Sequence, residues 1–269
     1  MTRTTPVRMR HVRALSVVSV APRLQSGGMT RTTCSAYRSS AVLAALLFIL
    51  SASSAFAQGP QGAAICVDVD VRFTERHPAD VFITSLQNET ASIWERYGVR
   101  LAWPRATSSE GCAPPQASFV VLVNYEHAQT GSAWMNELGS TRVIPGVIDH
   151  APICVNRETT ERVLWTMTPV QLTRALNRTA VNSADVGRAV GRVLAHELGH
   201  VLLAEGDHQT HGLMRRSFPS EDLVRPQSET FTLSAGEVDR LRERFFSGVM
   251  PTYRAPLASL RCGERVIGD

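Results

Sequence analysis

His196 and His200 stand four residues apart with Glu197 beside the first, in the stretch His196-Glu197-Leu198-Gly199-His200. On an α-helix, residues four apart share a face about one turn apart, so the two imidazoles can reach one tetrahedral cation. Glu197 then falls beside the open coordination position. There it can take a proton from a water whose pKa the metal has lowered to roughly 7. The chemistry implied is hydrolysis by a zinc-activated water with Glu197 as general base. A catalytic zinc takes three protein ligands and a water, and this helix supplies two. The third must come from the segment beyond Gly206, where His208 and His211 are available and Asp207 is possible on chemistry. Glu221 is a more distant carboxylate that could serve instead.

The stretch resembles the zincin metallopeptidases, and within them the metzincins, whose motif is H-E-x-x-H-x-x-G-x-x-H followed by a Met-turn. The positions of that motif's Gly and third His hold Leu203 and Gly206 here. His208, eight residues past His200, is followed by Gly212-Leu213-Met214, which is similar to the Met-turn of the matrixin branch. His208 is favoured as third ligand because its spacing to Met214 resembles the matrixin spacing, and because Gly206 can turn the chain just before it. The resemblance implies an α+β fold, with a mixed sheet packed on the active-site helix and a C-terminal helix. It also implies zinc-dependent cleavage of a protein or peptide substrate.

The elements that must position these residues can be read around them. The spacing predicts a helix from an N-cap at Asn182 or Ser183, carrying Val186, Val190, Val193, Leu194, Glu197 and Val201, and running through Leu203 or Ala204 until Gly206 breaks it. Gly199 in its interior costs about 1 kcal/mol relative to Ala and suggests close packing. Upstream, residues 65–73 alternate Val67, Val69, Val71 and Phe73 with Asp68, Asp70 and Arg72, the pattern of a half-buried strand. A helix follows from Pro78-Ala79-Asp80, with Val81, Ile83, Leu86, Ile93 and Trp94 at helical spacing and Gly98 at its end. Strands over 99–103 and 118–124 come next. Residues 126–145 read as loop and short edge structure, and 146–155 as the sheet edge beside the helix. Helices are expected over 159–166, capped by Thr159 or Thr160, and over 169–177, capped by Thr168 with Pro169 first. A last helix spans 235–246 after Leu233-Ser234.

Residues 1–57 of the 269 hold seven of the 28 Arg and no Asp or Glu. From Met29 they show a basic start, an apolar core over 41–50 and a small-residue exit at Ala55-Phe56-Ala57, a secretory signal with cleavage before Gln58. Residues 1–28 read as an upstream extension. The expected product is one domain, 58–269, secreted or periplasmic and not membrane-bound once the signal is cut. Without the leader the acidic residues outnumber the basic ones, and the chain has no Lys, so nucleic acid has no electrostatic claim as a partner. A monomer is expected. Cys66, Cys112, Cys154 and Cys262 remain, an even number that favours two disulfides in an exported protein, with three pairings open. Two other functions compete with an endopeptidase: an inactive binding module that keeps the fold, and a zinc hydrolase of non-protein amides such as cell-wall peptides. Retention of Glu197 argues against the first, since metal binding alone does not need it.

Overall fold

Val67, Val69 and Val71 lie buried on one side of an extended segment while Asp68 and Asp70 are half-buried on the other, and this alternation makes β2 (Ile65–Phe73) the core strand of a sheet. The computed structural model describes residues 10–11, 64–74, 78–104, 115–125, 137–143, 151–227, 229–246 and 262, all within one contact unit. β2 pairs in parallel with β3 (Val99–Ala102) and β4 (Ala117–Asn124), so that Val67 stands opposite both Leu101 and Ala117. β4 pairs in parallel with β7 (Ile153–Asn156), and β5 (Gly139–Ser140) closes the edge antiparallel to β7. The result is a five-stranded mixed sheet in the order β3-β2-β4-β7-β5. A separate two-residue ladder joins β1 (Arg10–His11) to β6 (Arg142–Val143).

The described part of the 146–155 segment expected at the sheet edge is therefore an interior strand, and 146–150 lie outside the described residues. β7 is bonded on both sides, and the outer position is held by Gly139–Ser140. Gly139–Ser140 falls in the stretch read as loop and short edge structure, but two residues are too few to show a period, so chain order gave the edge beside the helix to the longer apolar run.

Helix α1 (Asp80–Glu95) buries Phe82, Leu86, Thr90, Ile93 and Trp94. Its first turn presents Phe82 inward and leaves Val81 exposed, a correction to the stripe read from sequence. α1 packs along α4 (Ser183–Leu203), and both lie against the sheet, α1 on β3 and α4 on β7 and β5. The two helices approach closely because α4 turns glycines toward the α1 backbone. A Cβ at Gly187 would overlap the Phe82 carbonyl, and one at Gly191 would lie 2.7 Å from the Leu86 carbonyl oxygen. The Thr90 hydroxyl is within bonding distance of the carbonyls of Leu86 and Gly191, at 2.8 and 3.0 Å. Arg192, wholly buried on α4, donates to Glu89 of α1 at 2.7 Å. A buried charge is tolerable only when paired this way.

β7 runs directly into α2 (Arg157–Trp165), whose cap is Asn156, its side chain accepting from the Thr159 amide at 2.9 Å. The helix thus starts one turn before the expected Thr159 or Thr160 cap. α3 (Pro169–Leu176) has the expected start, with a capping box between Thr168 and Gln171. α5 (Ser220–Val224) was not anticipated. α6 (Ala235–Phe246) follows a reciprocal pair in which Ser234 and Glu237 bond each other's amides. Cys154 on β7 is bonded to Cys262, tying the chain beyond α6 back to the sheet. Cys66 is also in a disulfide, and Cys112 lies outside the described residues. Among the described residues no helix is long and apolar enough to cross a membrane. The segment expected to be a secretory signal lies outside the described residues.

Candidate metal centre

α4 is started by Asn182, whose side chain accepts from the Asp185 amide at 3.0 Å while Asp185 accepts from the Asn182 amide at 2.8 Å. From there the helix runs 21 residues with nearly every side chain from Asp185 onward buried, so its polar residues are enclosed by the fold. It ends at Ala204, which adopts left-handed backbone with φ 48°. The terminator is thus Ala204 and not Gly206, which has no positive φ. The glycine that does need one in this region is Gly212, φ 78°, where any Cβ would also overlap the Thr232 carbonyl.

His196 and His200 project from successive turns with ring centroids 4.6 Å apart and ring planes at 88°. The segment after Ala204 brings His208 against both, stacked on His196 at 5.3 Å and edge-on to His200 at 4.8 Å. One nitrogen from each of the three rings lies within 4.8 Å of the others. His211 is not brought in: it is exposed and its Nδ1 is 3.0 Å from the Thr210 hydroxyl. Asp207 is exposed as well. Glu221 sits on α5, facing Arg225 at 3.7 Å and Arg174 at 4.0 Å. His77, His127 and His150 lie outside the described residues.

The tautomers follow from the partners. Nδ1 of His196 is 2.7 Å from the Leu213 carbonyl, and Nδ1 of His200 is 2.7 Å from the Glu205 carbonyl. A carbonyl oxygen only accepts, so each Nδ1 carries the hydrogen and each Nε2 is left with a lone pair. The two Nε2 atoms then face each other at 3.0 Å. Two lone pairs that close repel unless a cation lies against both. His208 adds a buried Nε2 with no hydrogen-bond partner. Two facing lone pairs and a third, unpartnered nitrogen within 4.8 Å of them fit a metal ion, and nitrogen donors suit transition metals over calcium or magnesium.

Burial keeps these rings neutral, as ligation requires. His196 ionises well below the usual imidazole range, through desolvation first and then the neighbouring His200. His200 is brought down to about 4, again chiefly by desolvation. His208 is lowered by desolvation and then by Arg216. Glu197 is 2% exposed, and burial first, then Glu137, raises its pKa well above the usual carboxylate range. The edge strand rests on that carboxyl: a Cβ at Gly139 would lie 2.7 Å from Glu197 Oε1 and 2.8 Å from Val193 Cγ1.

Met214 is buried against Gly199, where a Cβ would overlap the Met214 sulfur. This accounts for a glycine in the middle of the helix. Phe218 stands edge-on to His196 at 5.7 Å and packs on Phe231 at 4.9 Å, over which Arg192 lies at 4.7 Å. The supporting carbonyls of Glu205 and Leu213, the contact through Gly139 and the Phe218 wall were not legible in the sequence. Carbonyls have no residue signature, and the others depend on segments distant in the chain. Compared with protein-family models and with curated proteins, the chain has no significant match to either.

Proposed function

We propose that this chain is an exported zinc-dependent endopeptidase of the zincin type, with His196, His200 and His208 as metal ligands and Glu197 as general base. The observation that carries the reading is the set of three neutral imidazoles with one nitrogen of each within 4.8 Å of the others, on and against the helix that also buries the Glu197 carboxyl. Three nitrogen ligands match a catalytic zinc, which would hold a water in its fourth position, lower that water's pKa and polarise the scissile carbonyl. The Leu213 and Glu205 carbonyls hold His196 and His200 in the ligating tautomer. Glu197 receives the proton from the attacking water and delivers it to the leaving amine. β5, outermost in the sheet and resting on Glu197, is the strand an extended peptide could pair with.

The test is metal analysis of the purified protein together with cleavage of a mixed peptide library. One zinc per chain and cut sites removed by a chelator are expected. Zinc bound without cleavage of any peptide would reduce the chain to a metal-binding module, and cleavage confined to cell-wall peptides would move it to the non-protein amide hydrolases.

A further inference from the structure

The chain that rests on Glu197 at Gly139 runs on from β5 through Thr141 to β6, and both short strands pack on α4. α1 and α4 run side by side in one direction, with Gly187 facing Phe82, Gly191 facing Leu86 and Gly199 facing Trp94. α1 connects the end of β2 to the start of the parallel β3, so both helices point against β2, β4 and β7. β5 is antiparallel to β7 and therefore runs with α4. Moving from Gly139 toward Val143 thus follows the helix from Val193 and Glu197 toward His200. Two extended residues advance about 7 Å, or roughly four to five residues of helix.

Gly139 turns its side-chain direction onto Glu197, and residues two apart in an extended segment share a face. Burial keeps that alternation: Gly139, Thr141 and Val143 are buried, Ser140 is half-buried and Arg142 is exposed. Thr141 therefore faces α4 between the levels of Glu197 and His200. It is 7% exposed, and its hydroxyl has no hydrogen-bond partner among the described residues. A buried hydroxyl without a partner is costly, and a valine of the same shape would avoid the cost.

We propose that the Thr141 hydroxyl donates a hydrogen bond to the oxyanion formed during hydrolysis, an inference that rests on the peptidase reading above. As water adds, its oxygen bonds to the carbonyl carbon, its proton passes to Glu197 and the carbonyl π pair moves onto the oxygen. Thr141 meets that new charge. The C–N bond then breaks as Glu197 passes the proton to the nitrogen, and the hydroxyl is released. A donor fixed in a water-excluded site and unused in the resting state is suited to stabilising charge that appears only in the transition state.

The test compares Thr141→Val and Thr141→Ser in the zinc-loaded protein, on a fluorogenic peptide that the wild type cleaves and on binding of a phosphinic pseudotripeptide, whose anionic tetrahedral centre mimics the adduct. Thr141→Val is expected to lower kcat by about 10²- to 10³-fold with KM unchanged. It should weaken the phosphinate by a similar factor and keep zinc content and unfolding midpoint no lower than wild type. Thr141→Ser should restore most of both. Wild-type kcat and phosphinate affinity in Thr141→Val would overturn the proposal, as would a serine variant as impaired as valine. If the wild type cleaves no peptide yet Thr141→Val still binds the phosphinate more weakly, the peptidase reading falls and the anion-binding hydroxyl stands.

Discussion

The proposed function gives Glu197 and His208 different chemical roles, and substitution should separate them. Glu197→Gln keeps the shape of the side chain and removes its capacity to take a proton. We expect turnover to fall by about 10²- to 10⁴-fold, the range for loss of a general base, with zinc still near one per chain by metal analysis. His208→Ala should lower zinc affinity by more than about 100-fold, the upper end for loss of a mere supporting hydrogen bond, while His211→Ala leaves affinity within a few-fold. Competition titration with a chromogenic chelator distinguishes them. A weak His211→Ala beside a normal His208→Ala would reverse the assignment. The pairing of His196 with His200 was legible in the sequence because residues four apart share a helix face. His208 was legible only through its distance from Met214, since its approach to the other rings depends on bonds made elsewhere: Gln209 to the Met214 carbonyl and Leu213 to the Thr232 carbonyl.

Elements with a long repeating pattern were read correctly, and elements whose bounds are set by neighbours were not. β2 and α4 each bury one continuous set of side chains, and the sequence carries that set at period two or three to four. β5 has no room for a pattern. The cap of α2 is a strand residue, Asn156, because β7 leads into the helix without a loop. α4 itself tolerates little change at Gly199, where the Met214 sulfur fills the space of a Cβ. Gly199→Ala should gain helix propensity of up to about 1 kcal/mol but lose more to overpacking, about 1–3 kcal/mol. Urea unfolding is expected to show net destabilisation, and pairing it with Met214→Ala should recover part of the loss. An unaltered or raised urea midpoint in Gly199→Ala alone would mean that Met214 moves freely away.

The whole metal-free protein should be acid-labile, and the sign follows from the ligands. His196, His200 and His208 all have pKa values lowered by folding, His200 to about 4. The unfolded chain therefore binds more protons as pH falls, and stability present above about 6.5 is lost on the way down to about 4. Glu197, with its pKa raised, acts in the opposite sense, so the measurement belongs in the Glu197→Gln background. Urea midpoints with chelator present should drop steadily over that window, and a flat profile would show that the imidazoles are not buried in the metal-free state. One stretch of chain, residues 205–214, supplies His208 as well as the carbonyls that orient His196 and His200. It is fastened by its own backbone bonds, Glu205 to His200, Gln209 to Met214 and Leu213 to Thr232. Opening this clasp would therefore withdraw one ligand and, in the same movement, the carbonyls that orient the other two, so the three imidazoles lose their arrangement together and not one by one.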